Sequence, residues 1–195
     1  AALLAAKSLP AEIACHRVMP AEAPIFGKNM RPWPKAINDL LARQGISNLY
    51  NHQNKATDLV RAGRHVLAAT PTASGKSLIY NLPVLERCLA NPDTKALYLF
   101  PLKALAQDQL AAFNRLTEHW PEQARPKAAI YDGDTSSYFR QKIRKNLPNV
   151  LLTNPEMLHL SLLPFHENWA EFWAGLDFVV IDEVHTYRGL LGSHM

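Results

Sequence analysis

The chain has 195 residues, 48% hydrophobic and 19% charged, enough for one sizeable domain with its own core. No apolar run approaches the roughly 20 residues of a membrane-spanning helix, and the opening Ala1-Ala2-Leu3-Leu4-Ala5-Ala6 ends at Lys7 without the basic flank of a secretion signal, so no membrane partner is expected. Cys15 and Cys88, the two cysteines, make neither a disulfide framework nor a zinc-spaced set and read as reduced thiols of a cytoplasmic protein, while a formal charge of +4 suits a polyanionic partner.

Pro10, Pro20, Pro24, Pro32 and Pro34 break any long helix before residue 35. Residues 1–34 are therefore expected to form an extended arm packed on the domain that follows, residues 35–195. A helix fits 35–44, with Ile37, Leu40 and Leu41 on one face and Gly45 as its stop. A second fits 52–62, with Ala56, Leu59 and Val60 inward and Gly63 as its stop. Short apolar runs then alternate with helical periodicity. The predicted strands are 65–69, 95–100, 127–131, 149–153 and 178–182. The predicted helices are 76–90, 103–119, 136–145, 156–162 and 167–174. Pro83 either kinks or ends the first of these. Strands with almost no polar residues suit a parallel sheet buried on both faces. Strict alternation predicts a doubly wound α/β layer, whose ligands bind at the carboxyl ends of the strands.

Thr70-Pro71-Thr72-Ala73-Ser74-Gly75-Lys76-Ser77 lies between a predicted strand and a predicted helix. That is the context of a phosphate loop. Small residues let successive backbone N–H groups converge on a phosphate, and the next helix adds the positive end of its dipole. Lys76 is the candidate cation for the β and γ phosphates of ATP, and the Ser77 hydroxyl a candidate Mg²⁺ ligand. Thr70 stands where the simplest form of the motif has its first glycine.

Asp177-Phe178-Val179-Val180-Ile181-Asp182-Glu183-Val184-His185 is an apolar strand ending in a carboxylate pair. Asp182 is the candidate second Mg²⁺ ligand, and Glu183 can position and deprotonate an attacking water. His185 is suited to relay the nucleotide state. Two such motifs in this order are far more specific than either alone.

Together the phosphate loop and Asp182-Glu183-Val184-His185 resemble the superfamily-2 helicases, in the broad DEAD/DEAH-box sense. The resemblance implies a RecA-like first lobe: an α/β three-layer parallel sheet with helices on both faces, using ATP and Mg²⁺. Leu49-Tyr50-Asn51-His52-Gln53 looks like the adenine-reading Q motif, with Gln53 as the reader. Phe100-Pro101-Leu102-Lys103-Ala104-Leu105-Ala106-Gln107-Asp108-Gln109 resembles motif Ia, with Leu102 where a threonine is usual. Tyr131-Asp132-Gly133-Asp134-Thr135 is similar to the glycine turn that follows, and Thr153-Asn154-Pro155-Glu156-Met157-Leu158 to motif Ib. Pro101, Lys103, Gly133 and Thr153 are thereby the candidate contacts to a nucleic-acid backbone. The stretch Asp182-Glu183-Val184-His185-Thr186-Tyr187-Arg188-Gly189, with Gly192-Ser193-His194 beyond it, resembles the mitomycin-repair-factor DNA helicases, related to the RecQ type-4 proteins. That subgroup implies 3′ to 5′ translocation on single-stranded DNA in repair, and a C-terminal four-cysteine zinc module.

The resemblance also implies a second RecA-like lobe as partner, supplying an arginine worth about 10³–10⁵ in rate in related phosphoryl-transfer enzymes. Neither that lobe nor the Ser/Thr-Ala-Thr motif expected after the acidic pair falls within these residues. The isolated chain is thus expected to bind nucleotide weakly and hydrolyse very little. Arg140, Lys142, Arg144 and Lys145 read as a solvated helix face, and Trp169 to Trp173 as packing. Two other readings stay open: a motor that moves duplex without unwinding it, and a binding module without catalysis, against which intact Lys76, Asp182 and Glu183 argue.

Overall fold

The computed structural model describes residues 23–70 and 74–192. Pro71, Thr72 and Ala73 of the phosphate loop lie outside the described residues, as do the opening apolar stretch, Cys15 and residues 193–195.

Four parallel strands, β1 (Lys95–Leu99), β2 (Ala128–Ile130), β3 (Val150–Thr153) and β4 (Leu176–Ile181), form one sheet in the order β2-β3-β1-β4. Leu97 of β1 lies level with Leu151 of β3 and Val179 of β4. Successive side chains point to opposite faces of a strand, and the core divides accordingly. Ala96, Tyr98, Val150 and Leu152 pack on one face with Ile37 and Leu40 of α1 (Lys35–Arg43), Leu82 and Leu85 of α3 (Lys76–Ala90) and Phe113 of α4 (Lys103–Thr117). Leu97, Leu99 and Leu151 pack on the other with Met157 of α6 (Pro155–Met157), Leu162, Trp169 and Phe172 of α7 (Ala170–Ala174). Ile143 of α5 (Ser137–Lys145) joins that second layer. The α/β three-layer arrangement expected from the alternating pattern is therefore present, with helices on both faces.

Several elements differ from their predicted form. Residues 65–69 are not a strand: the segment from 64 to 70 has no regular secondary structure and no ladder partner among the described residues. Its apolar pattern is strand-like, but a strand needs a neighbour. The nearest sheet edge, β4, lies across a cavity of about 1630 Å³ lined by both segments. For the same reason β4 is not buried on both faces, and Asp177, Val179 and Ile181 are exposed.

In α2 (Asn51–Arg61) the buried residues are Gln53, Asn54, Ala56 and Thr57, whereas Leu59 is 48% exposed. The arm causes this inversion by covering the polar face. Asn29 donates to the Thr57 hydroxyl (2.9 Å) and to Asp58 (3.1 Å), and the Met30 N–H donates to Asp58 (2.8 Å). Pro83 neither ends α3 nor lies at its surface; the helix runs on to Ala90 with Pro83 buried. The predicted helix 156–162 is the short α6, capped by Asn154 and continued as a π turn at Leu158–Leu162. The helix predicted over 167–174 is a 3₁₀ turn, His166–Trp169, followed by α7. Trp169 is buried edge-on to Tyr131 at 4.9 Å, the packing role expected of it.

Candidate nucleotide and nucleic-acid site

Gly75 begins the site. Its φ of +73° is left-handed, a conformation glycine adopts without penalty, and α3 starts at the next residue, Lys76. The Lys76 ammonium donates to the Thr70 carbonyl at 3.0 Å, and the Thr70 and Ser74 hydroxyls are bonded at 2.6 Å. The two ends of the loop are thus tied together across Pro71–Ala73. Ser77 lies in the first turn of α3, half-buried, and its hydroxyl has no hydrogen-bond partner among the described residues.

Gln53 braces this loop. Its amide nitrogen donates to the Gly75 carbonyl (3.0 Å) and, longer, to that of Ser74 (3.4 Å), while its oxygen accepts from the Tyr50 N–H (2.9 Å). Both ends of the buried amide are thus occupied within the protein, which gives Gln53, implied by the resemblance to be the adenine reader, a structural role. His52 Nε2 lies 3.1 Å from the Ser74 carbonyl, and its ring stacks on Tyr50, which stacks on Phe26 of the arm. Sequence reasoning missed this aromatic column and the brace. The placement of Gln53 three residues after Tyr50, at the start of a helix, was the available signal.

The carboxylate pair approaches from β4. Lys76, Asp182, Glu183 and His185 line one cavity, so the two motifs meet in a shared cleft. Burial pushes the Asp182 carboxyl above its ordinary value; the Glu183 N–H, donating to it at 2.9 Å, and the Lys76 charge pull the other way. Glu183 has φ +48°, strained for a residue with a side chain. Its carboxylate lies 3.2 Å from His185 Nδ1. The Tyr187 hydroxyl is buried without a partner among the described residues, and burial, with the Asp182 charge, pushes it up to about 12.

The donor set suits a hard cation. Ser77 and Asp182 offer oxygen ligands, and among the described residues no cluster of three His, Cys, Asp or Glu exists to cage a metal. Mg²⁺ takes few protein ligands and completes its shell with phosphate and water; Asp182 lines the cavity, whereas Ser77, one residue after Lys76, is not among its lining residues.

The candidate nucleic-acid residues lie at the carboxyl ends of three other strands. Lys103 begins α4 and pairs with Asp134 at 2.7 Å; that bond raises its pKa. Gly133 faces the same ammonium, since a Cβ there would stand 3.7 Å from it. Pro101 is half-buried just before them. Thr153 is placed differently. It is 2% exposed and its hydroxyl donates inward to the Tyr131 carbonyl at 2.6 Å, because the last β3 side chain points into the sheet's interior. Its side chain is a strut between β3 and the residue that follows β2 rather than a surface contact. The turn beside it is held by Arg140, which donates to the carbonyls of Thr135 (2.8 Å) and Asp132 (2.9 Å) and lies over the Tyr131 ring. Tyr80, one turn beyond Lys76, donates to Gln109 of α4 at 3.1 Å and so links the two sites. Neither role was visible in the sequence.

A family model described as DEAD/DEAH box helicase matches residues 50–195. The chain is 44% identical over 184 residues to the uncharacterized ATP-dependent helicase YprA of Bacillus subtilis, covering 92% of this chain and 24% of that protein. It is 46% identical over 148 residues to the ATP-dependent helicase HRQ1 of Saccharomyces cerevisiae, covering 76% of this chain and 14% of that one. Among solved structures, the DUF1998 helicase MrfA bound to DNA and AMPPNP superposes with a TM-score of 0.83 at 42% identity, over 92% of this chain and 25% of its own. The chain therefore spans a quarter or less of these relatives.

Proposed function

Because this chain belongs to the DEAD/DEAH box helicase family and has its RecA-like fold, we propose that it is the ATP-binding lobe of a 3′–5′ DNA helicase acting in repair. The observation that carries the reading is the common cavity lined by Lys76 and Asp182. In it an ammonium and a carboxylate flank the space beside the loop whose amides can hold phosphates. Lys76, released from the Thr70 carbonyl, would take the β and γ phosphates; Ser77 and Asp182 would hold Mg²⁺. Bound Mg²⁺ neutralises charge on the triphosphate. Glu183 orients and deprotonates water, and His185, bonded to Glu183, senses whether that carboxylate is engaged. Lys103 and Gly133 hold the backbone of single-stranded DNA, and a second lobe closes the cleft. The DNA-bound state of MrfA and the repair factors that the acidic segment resembles support DNA over RNA.

The test is ATP turnover by the whole protein with single-stranded DNA, single-stranded RNA or no nucleic acid. Stimulation by DNA, lost in Lys76→Ala and Glu183→Gln, is expected. Turnover indifferent to nucleic acid, or unchanged in Lys76→Ala, would overturn the reading.

A further inference from the structure

The first turn of α5 carries two large rings that contribute little to the core. Tyr138 is 69% exposed and Phe139 55% exposed, edge to face at 5.4 Å. The hydrophobic side chain of α5 that packs against the core is the half-buried Ile143, with Arg140 lying over the Tyr131 ring. The same helix carries Lys142, Arg144 and Lys145, all exposed, and no carboxylate pairs with them among the described residues. Tyr138, Lys142 and Lys145 are spaced four and three apart, so they form one stripe along the helix. The start of α5 is held firmly. Ser136 caps the Phe139 N–H (3.5 Å), and Arg140 clamps the preceding turn. That turn contains Gly133 and Asp134, the neighbours of Lys103.

Exposed rings interleaved with unneutralised cations are how proteins hold single strands without reading sequence: bases stack on rings while cations follow the phosphates. We propose that Tyr138 and Phe139, with Lys142 and Lys145, form a stacking platform for the bases of single-stranded nucleic acid as it leaves Lys103 and Gly133. This rests on the helicase reading above and adds a base contact to a site otherwise made of backbone contacts.

The measurement is fluorescence anisotropy of a labelled oligo-dT strand with the whole protein, without nucleotide. The Tyr138→Ala/Phe139→Ala double variant is expected to bind at least about tenfold more weakly, with an unaltered thermal midpoint. The swaps Tyr138→Phe and Phe139→Tyr keep wild-type affinity, because either ring stacks. Replacing Lys142 and Lys145 by Gln makes the log–log salt dependence shallower by about 1.4, at ~0.7 for each phosphate contact on a single strand. Wild-type affinity in the double alanine variant overturns the platform and leaves the helicase reading standing. Equal loss in the aromatic swaps also overturns it, because packing rather than stacking would then be at work. Failure of the wild-type protein to bind any single strand overturns both.

Discussion

Gln53 donates its side-chain amide to the carbonyl of Gly75 across 3.0 Å while accepting from the N–H of Tyr50. One buried amide thereby joins the start of α2 to the residue that launches α3. Gln53→Leu leaves the Tyr50 N–H and the Gly75 carbonyl without this partner. A loss of about 2 kcal/mol in folding stability is expected, with roughly tenfold weaker ATP binding from a looser loop. Urea denaturation and calorimetric titration measure the two. Unchanged values for both would remove Gln53 from the loop's support.

Gly75→Ala tests the other end of that contact. Its φ of +73° costs a residue with a Cβ about 1–2 kcal/mol, and the new methyl would collide with the Gln53 amide nitrogen. Nucleotide binding should fall further than in Gln53→Leu, because both the turn and its brace are displaced. ATP affinity equal to wild type would show that the turn tolerates another conformation.

Asp182 makes stability depend on pH. Burial raises its pKa above the ordinary 3.8, so the folded protein holds this proton more tightly than the unfolded chain does. Stability from this group is therefore fully present below the ordinary value and is lost as pH rises through the raised one. Asp182→Asn should melt at a higher temperature than wild type at neutral pH while losing ATP turnover. Lys76→Ala should push the Asp182 pKa higher still, since the Lys76 charge opposes the shift. Thermal melts from about pH 3 to about pH 8 check both; an Asp182→Asn protein less stable than wild type at neutral pH would contradict the burial argument.

Arg61 holds the arm. Its side chain is 4% exposed, forks onto Glu86 at 2.7 and 2.8 Å, donates to the carbonyls of Arg31 and Pro32, and lies 4.1 Å from the Trp33 ring centroid. Removing one partner of such a pair strands the other charge. Arg61→Ala is expected to cost about 3 kcal/mol, and Arg61→Lys most of that, since an ammonium cannot fork or stack in the same way. Chemical denaturation of the two variants decides it; a loss below about 1 kcal/mol would mean the pair is no stronger than a surface one.

Most of the sheet was legible because β1 and β3 are apolar apart from Lys95 and Thr153 at their ends, and Lys76 and Asp182 were legible because their neighbours follow a motif. What escaped was which partner each polar side chain would find. The Tyr50–Gln53 spacing signals a helix start but does not name Gly75 as the partner, and Arg140 looks like any helix-surface cation until the Asp132 and Thr135 carbonyls are placed beside it. Residues 65–69 failed in the opposite direction. Local composition favoured a strand, but pairing is a property of two segments, and β4 stands too far away to supply it. Leu59 was misassigned because periodicity cannot tell a face covered by polar residues of the arm from one left to water.

Among the described residues no strand pairs with the outer margin of β4, beside Val179 and Ile181. An exposed margin of that kind is a template on which another extended chain can lie down. Two copies of the lobe brought together along this margin would have the main-chain groups to pair strand against strand.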